Sequence, residues 1–425
     1  MRSISEIETC IDELTKDLWR LVAFCKSTQD PVPPSKHEAR ESVLANLAKL
    51  QAWLDIPEDF IQRLAVQTQI LACLEWLGEF HVLACIPLIG SVPISDLAEL
   101  ANVPEAQLRR VAGMTSTVGF LQEQQPGHIA HTALSAPFVT GLSHIDAAMF
   151  LARTAAPAAL QMATATNRFG HSNNPEESAY TLATNLPLRF TTACDSSRIL
   201  QRQWPAYFRY GAGNTDGAPV VDILMSLGRL DALRVSNPCI VEIGAQSIGA
   251  TSLMALYPTL NYIVQTDCAE SMLPSAATPS ATASQQQLDP FITVQQRVSS
   301  LPQPVKNATI YILRLGLSLW SSLSDRILVE LRSHMDVLRH LPSSSLVLIL
   351  RLRPGLGAEN THRNTLTRLS DLTFHQLANE HLLELCEVSD LIVRACDRLV
   401  IFNTVSLHST GETALELRYQ ARGVV

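Results

Sequence analysis

The chain has 425 residues, 47% of them hydrophobic, with 32 Lys and Arg against 40 Asp and Glu for a formal net charge of -8. That length exceeds what one core usually supports, about 250 to 300 residues, and the net-acidic, scattered charge leaves no basic footprint for a phosphate backbone, which disfavours direct nucleic-acid binding. The nine cysteines form no CxxC pair and no Cys/His group at zinc spacing, so they read as reduced intracellular thiols; no apolar run reaches the roughly 20 residues of a membrane span, so no membrane insertion is expected.

Residues 1–25 place Ile4, Ile7, Ile11, Leu14, Leu18 and Leu21 at spacings of three and four, which predicts an amphipathic helix. Pro31, Pro33 and Pro34 among charged residues predict a linker over residues 26–40. Residues 41–210 predict a mostly helical unit that contains a winged helix. There Ser95 is expected to cap a helix through Leu97, Leu100 and Ala101, and Pro104 and Glu105 to open the next, with Leu108, Val111 and Ala112 on its apolar face. Gln124, Gln125, Pro126 and Gly127 form the expected turn of a small hairpin. The second helix has only Arg109 and Arg110 as cations, beside Glu105, too few for a reader of a DNA groove. Association with protein is expected instead, with the apolar N-terminal helix, Leu71, Leu74 and Val82 among the candidates for a dimer or partner surface.

Residues 218–425 carry continuous apolar runs at 239–243, 262–265, 309–313 and 346–350, the pattern of parallel strands buried on both faces. Helical segments between them predict an α/β fold with a doubly wound, Rossmann-like sheet. Residues 274–290, rich in Ala, Ser, Thr and Gln, read as a low-complexity surface insertion. Residues 399–402 and 414–417 are expected to close the sheet as an antiparallel pair, the second because it alternates apolar and polar side chains.

The first of these strands runs through Glu242 into Gly244, Ala245, Gln246, Ser247, Ile248 and Gly249, where a nucleotide-like cofactor sits in such sheets. This stretch resembles motif I of the S-adenosylmethionine-dependent O-methyltransferases of plants and fungi, which reads roughly V-D-V-G-G-G-x-G. Those proteins also have an N-terminal winged-helix dimerisation domain, so the resemblance covers nearly the whole chain and implies a homodimer. Only Gly244 stays in register; Ala245, Gln246 and Ile248 bring side chains where glycines let the backbone approach the cofactor. Asp267 is the expected ribose-binding acid, its plainer reading being a turn former at a strand end.

The run from Arg314 to Trp320 resembles the family's R-x-x-L-H-D-W, in which the His removes the proton of the acceptor hydroxyl. Here Ser318 stands at the base position and Leu319 at the acid position, and a serine hydroxyl is no base near neutrality. The acidic G-D-F-F segment is replaced by Arg297, Val298, Ser299, Ser300 and Leu301. Arg368 to Leu372 matches R-x-x-D-L, but the following G-x-E-R-T is lost, leaving Glu380 with no base to orient and His375 and His381 as surface residues. No catalytic residue, cofactor or metal is therefore expected, and Glu242, Gly244 and Asp267 are vestiges of a cofactor site.

Segments 242–247, 294–298, 374–385, 398–403 and 414–420 are similar to the aflatoxin-pathway transcriptional co-activators. The resemblance implies a non-catalytic co-activator that assists a pathway-specific binuclear zinc-cluster transcription factor of a fungal polyketide gene cluster, in the nucleus with a share in the cytoplasm. Two other readings stay open: a methyltransferase with an altered base, which requires affinity for S-adenosylmethionine, and a non-methylating cyclase of the same fold acting on a polyketide.

Overall fold

The computed structural model describes residues 4–26, 34–212, 217–244, 250–267, 292–316, 318–319, 321–341, 343–357, 361–407 and 410–420. The chain forms two compact units, one of Met1–Gly170, Ala179–Asn214 and Glu359–Leu366, the other of His171–Ser178, Thr215–Ala358 and Thr367–Val425.

The first unit opens with α1 (Ile4–Lys26), α2 (Pro34–Leu54) and α3 (Pro57–Glu79). α1 joins α2 through Cys10, whose thiol lies 3.8 Å from Asn46, and through Asp17, whose carboxylate accepts from Ser42 at 2.5 Å. The predicted amphipathic helix is present, but its apolar residues divide: Leu14 and Leu21 are half-buried while Ile11 and Leu18 are exposed. α2 begins at Pro34, inside the stretch predicted to be linker, because proline in a first helical turn forfeits no hydrogen bond and arrives with a helical φ. Residues 27–33 of that stretch lie outside the described residues.

The winged helix consists of α4 (Val82–Cys85), α5 (Ile94–Leu100), α6 (Glu105–Ser116) and an antiparallel sheet in the order β1 (Val92–Pro93), β3 (His128–His131), β2 (Leu121–Gln125). α6 buries Leu108, Val111 and Ala112, as their spacing predicts. Two expectations fail here. Ser95 is no cap: its hydroxyl bonds the Asp96 carboxylate at 3.0 Å, and Pro93 occupies the cap position. Val82 is no surface residue, being fully buried with Leu77, Leu97 and Leu108, while Leu74 is half-buried against the same core. Farther along, Phe150, Phe190, Trp204 and Tyr207 pack ring on ring, with 4.9 Å between Phe150 and Tyr207.

The second unit is built on a seven-stranded sheet in the order β6-β5-β4-β7-β8-β10-β9. Its strands are β4 (Cys239–Ile243), β5 (Asn261–Asp267), β6 (Ile292–Arg297), β7 (Ile310–Arg314), β8 (Ser345–Leu350), β9 (Leu399–Leu407) and β10 (Glu412–Tyr419). β6 through β8 run parallel, and β10 and β9 antiparallel. One face packs on helices Leu323–His340 and Leu385–Ala395, the other on Val220–Ser226 and Ala250–Leu256. β4, β7 and β8 are buried at every position, which is why their sequences are apolar but for Glu242, Arg314 and Ser345. The edge strand β6 is unpredicted, since Thr293, Gln295 and Gln296 break its apolar pattern, and residues 274–290 before it lie outside the described residues.

The alternation in β10 does not mean a solvated face. Glu416 is fully buried, and its carboxylate is held by Arg229 and, at 2.9 Å, by Arg418.

Candidate functional site

The chain builds β4, β5 and β6 outward on one side and then returns to place β7 on the other side of β4, so the order of the sheet reverses between β4 and β7. In open α/β sheets ligands bind at the carboxyl ends of the strands flanking such a reversal. Glu242 lies at the end of β4 with Gly244 just past it, Arg314 ends β7, and Asp267 ends β5.

Period-two geometry puts Glu242, Arg314 and Glu412 on one face of the sheet, at the ends of β4 and β7 and the start of β10. Arg314 donates from Nε to Glu242 at 3.4 Å, from Nη1 to both oxygens of Glu412 at 3.2 Å, and from Nη2 to the carbonyl of Ala218 at 2.8 Å. Glu412 also accepts from the amide of Ala218 at 2.8 Å. The Tyr262 hydroxyl donates to the second oxygen of Glu242. Glu242 is 0% exposed; burial pushes its carboxyl above the ordinary value, against the pull of Tyr262 and Arg314. The same burial, and then the neighbouring carboxylate, holds the Tyr262 hydroxyl well above its ordinary value.

Both glycines at this crevice answer to Arg314. Gly244 has φ +75°, and a Cβ there would collide with the Arg314 carbonyl; a Cβ at Gly217 would collide with its guanidinium. Gly244 is thus required by the chain's own packing, whatever else it once served.

The family resemblance implies S-adenosylmethionine at this position, and the described residues do not fit it. Glu242 has both oxygens engaged and no surface to offer, and a guanidinium bridges the ends of β4 and β10. The substituted turn, Ala245 to Gly249, and the side chain of Asp267 lie outside the described residues.

Past β7, Ser318 is half-buried and Leu319 is 7% exposed, while Leu315 joins the core beneath. An aliphatic side chain therefore fills the place where the family carries an acid. Gly316 is tied back by Arg326, which donates to its carbonyl at 2.8 Å. In the R-x-x-D-L match, Asp371 accepts from the amide of Leu382 at 2.7 Å and Arg368 donates to the carbonyl of Gly355 at 2.9 Å, so both hold backbone. Glu380 is pushed above its ordinary value by burial, with His381 opposing and Asp325 adding. His375 and His381 are exposed, and partial burial lowers the His375 imidazole.

Sequence reasoning missed a second polar cluster, on the opposite face. Where the acidic segment is lost, Arg297 of β6 pairs with Glu330 at 2.8 Å, both nearly sealed from solvent. Next to them Gln303 exchanges bonds of 2.9 Å with Gln265 and lies 2.8 Å from Nε2 of His334. His334 is completely buried, and its pKa is lowered to about 3 by burial, which leaves it neutral and structural. No spacing rule links Arg297 to a helix more than thirty residues on.

No family model matches the chain. It is 42% identical to the monodictyphenone cluster transcriptional coactivator mdpA of Emericella nidulans, with 99% of each chain covered. It is 40% identical to the trypacidin cluster transcriptional coactivator tpcD of Aspergillus fumigatus, over 100% of this chain and 98% of that one. It is also 39% identical to the dothistromin biosynthesis regulatory protein aflJ of Dothistroma septosporum, over 99% of each. Among solved structures it is similar to LepI in complex with SAM, at 16% identity and a TM-score of 0.66 over 98% of this chain and 100% of that one. OxaC in complex with SAH and oxaline follows at 18% identity and a TM-score of 0.61, over 98% and 99%. Identities this low establish a common fold and carry no chemistry across.

Proposed function

The chain belongs to the family of fungal secondary-metabolite cluster transcriptional coactivators, and from that premise we propose that it raises transcription of a polyketide gene cluster by binding the cluster's zinc-cluster regulator in the nucleus. It is a non-catalytic coactivator on a methyltransferase-like fold. The observation that carries this reading is identity of about 40% over nearly the full length to relatives named for that role. Ser318 and Leu319 at the base and acid positions, and Arg314 bridging the switch-point crevice, support it.

The protein is expected to add no nucleic-acid contacts of its own. Of the two cations on α6, Arg109 is already paired with Glu105 at 2.6 Å. The salt dependence of DNA binding by the regulator should therefore keep its slope when the coactivator joins, since that slope counts phosphates neutralised. The test is co-purification of the tagged full chain with the regulator of its own gene cluster. Retention of the regulator is the expected result, and its absence from the complex would overturn the reading. The homodimer implied by the family resemblance is read in the same preparation by sedimentation, against a monomer of 46.6 kDa.

A further inference from the structure

The alternation of the edge strand β9 breaks once. Leu399 and Ile401 pack on one core of the second unit and Val405 and Leu407 on the other. Asn403 pairs with Glu416 and Ile401 with Leu417, which leaves Phe402 outside the ladder. Phe402 is thus the extra residue of a β-bulge, the device by which an edge strand re-aims a side chain. It is 58% exposed, with the Arg418 guanidinium 3.5 Å and the Arg229 guanidinium 5.8 Å from the centre of its ring.

Both guanidiniums are fixed by a single atom. Arg229 donates from Nε at 2.8 Å and from Nη2, and Arg418 from Nε at 2.9 Å, all to Oε1 of the buried Glu416. Oε2 of Glu416 is buried with no hydrogen-bond partner among the described residues. One carboxylate therefore serves two cations, and a unit of positive charge is left over. The neighbouring acids do not cancel it: Glu412, the other acid on β9 and β10, is engaged at the far end of β10 by Arg314, and Asp231 is paired with Arg234 at 3.2 Å. Stacking on the ring occupies the flat face of a guanidinium and leaves its in-plane N–H groups for the two oxygens of a carboxylate. An exposed aromatic ring beside arginines is also the composition enriched at the centres of protein interfaces.

We propose that Phe402, Arg418 and Arg229 form a docking site for an acidic segment of a partner protein, which lays an apolar side chain on the ring and a carboxylate on the guanidiniums. The surplus of cation over acid selects a carboxylate, and the bare ring selects a segment with apolar side chains over a free anion. The site is argued from its own residues and stands whether or not the regulator is that partner. The test is titration of the full chain with two designed peptides that share the same leucines, one with Glu between them and the other with Gln. The Glu peptide should bind at least about tenfold tighter, the worth of one charge-assisted hydrogen bond, and lose that lead as salt screens the exposed charges. Phe402→Ser, which strands no polar group, should weaken both peptides about tenfold, as loss of one aromatic anchor does. A triple variant with Arg229→Gln, Glu416→Gln and Arg418→Gln removes all three charges together, so none is left buried and unpaired, and should erase the lead of the Glu peptide. Equal binding of the two peptides by the wild type, a lead that survives in the triple variant, or binding unchanged by Phe402→Ser overturns the proposal. So does a dimer of the full chain that Phe402→Ser dissociates, which would assign the ring to a second copy.

Discussion

Arg314 serves three acceptors at once, Glu242, Glu412 and the Ala218 carbonyl, so replacing it strands two carboxylates in a largely dry place. Removing one partner of a buried ion pair costs about 3 to 5 kcal/mol, and Arg314→Met should lower the thermal midpoint of the full chain by on the order of 10 °C. Adding Glu412→Gln should recover part of that loss; an unchanged midpoint in the single variant would show that the bridge stabilises nothing. His334 gives a pH signature. Its folded pKa, about 3, lies below the ordinary imidazole value, so between about pH 6.5 and 3 the unfolded chain binds the extra proton and stability falls as pH falls. Its contribution is fully present above the unfolded pKa, and its slope approaches about 1.4 kcal/mol per pH unit inside that window. His334→Gln should flatten the acid side of the stability curve, and an unaltered slope would mean that another group sets it. At this scale the sequence makes Ser318 and Leu319 legible, because the motif fixes their spacing. It does not reveal what Arg314 does, because its partners lie 72, 96 and 98 residues away.

Elements whose environment is uniform are the ones readable from their residues. β4, β7 and β8 are buried on both faces and apolar at nearly every position, so composition alone predicts them. β6 is hidden and β10 is legible: the edge strand keeps polar residues that look like loop, whereas alternation marks the inner strand, which pairs antiparallel as expected and buries Glu416 against Arg229 and Arg418. Helix Leu385–Ala395 starts at a reciprocal capping box of Glu384 and Glu387, and Arg353 reaches Glu384 at 2.8 Å. Glu384→Ala should cost about 1 kcal/mol. Faster hydrogen exchange confined to the first turn of that helix is the expected readout, and unchanged protection would deny the cap its role.

Across the whole molecule, the fold of a methyltransferase is kept while its crevice is bridged by the chain's own side chains. A sheet tolerates such replacement because its stability lies in the two cores flanking it, not in the strand ends where ligands bind. Calorimetry with S-adenosylmethionine should accordingly give no binding tighter than about 10 μM, equivalent to roughly 7 kcal/mol; a tighter constant would show that the crevice opens. The central claim, action on transcription without catalysis, is tested most directly by transcript levels of the surrounding polyketide cluster in a strain lacking this gene. The account predicts that they collapse together and return with the wild-type gene. Unchanged transcripts with an unprocessed polyketide accumulating would contradict it and restore an enzyme.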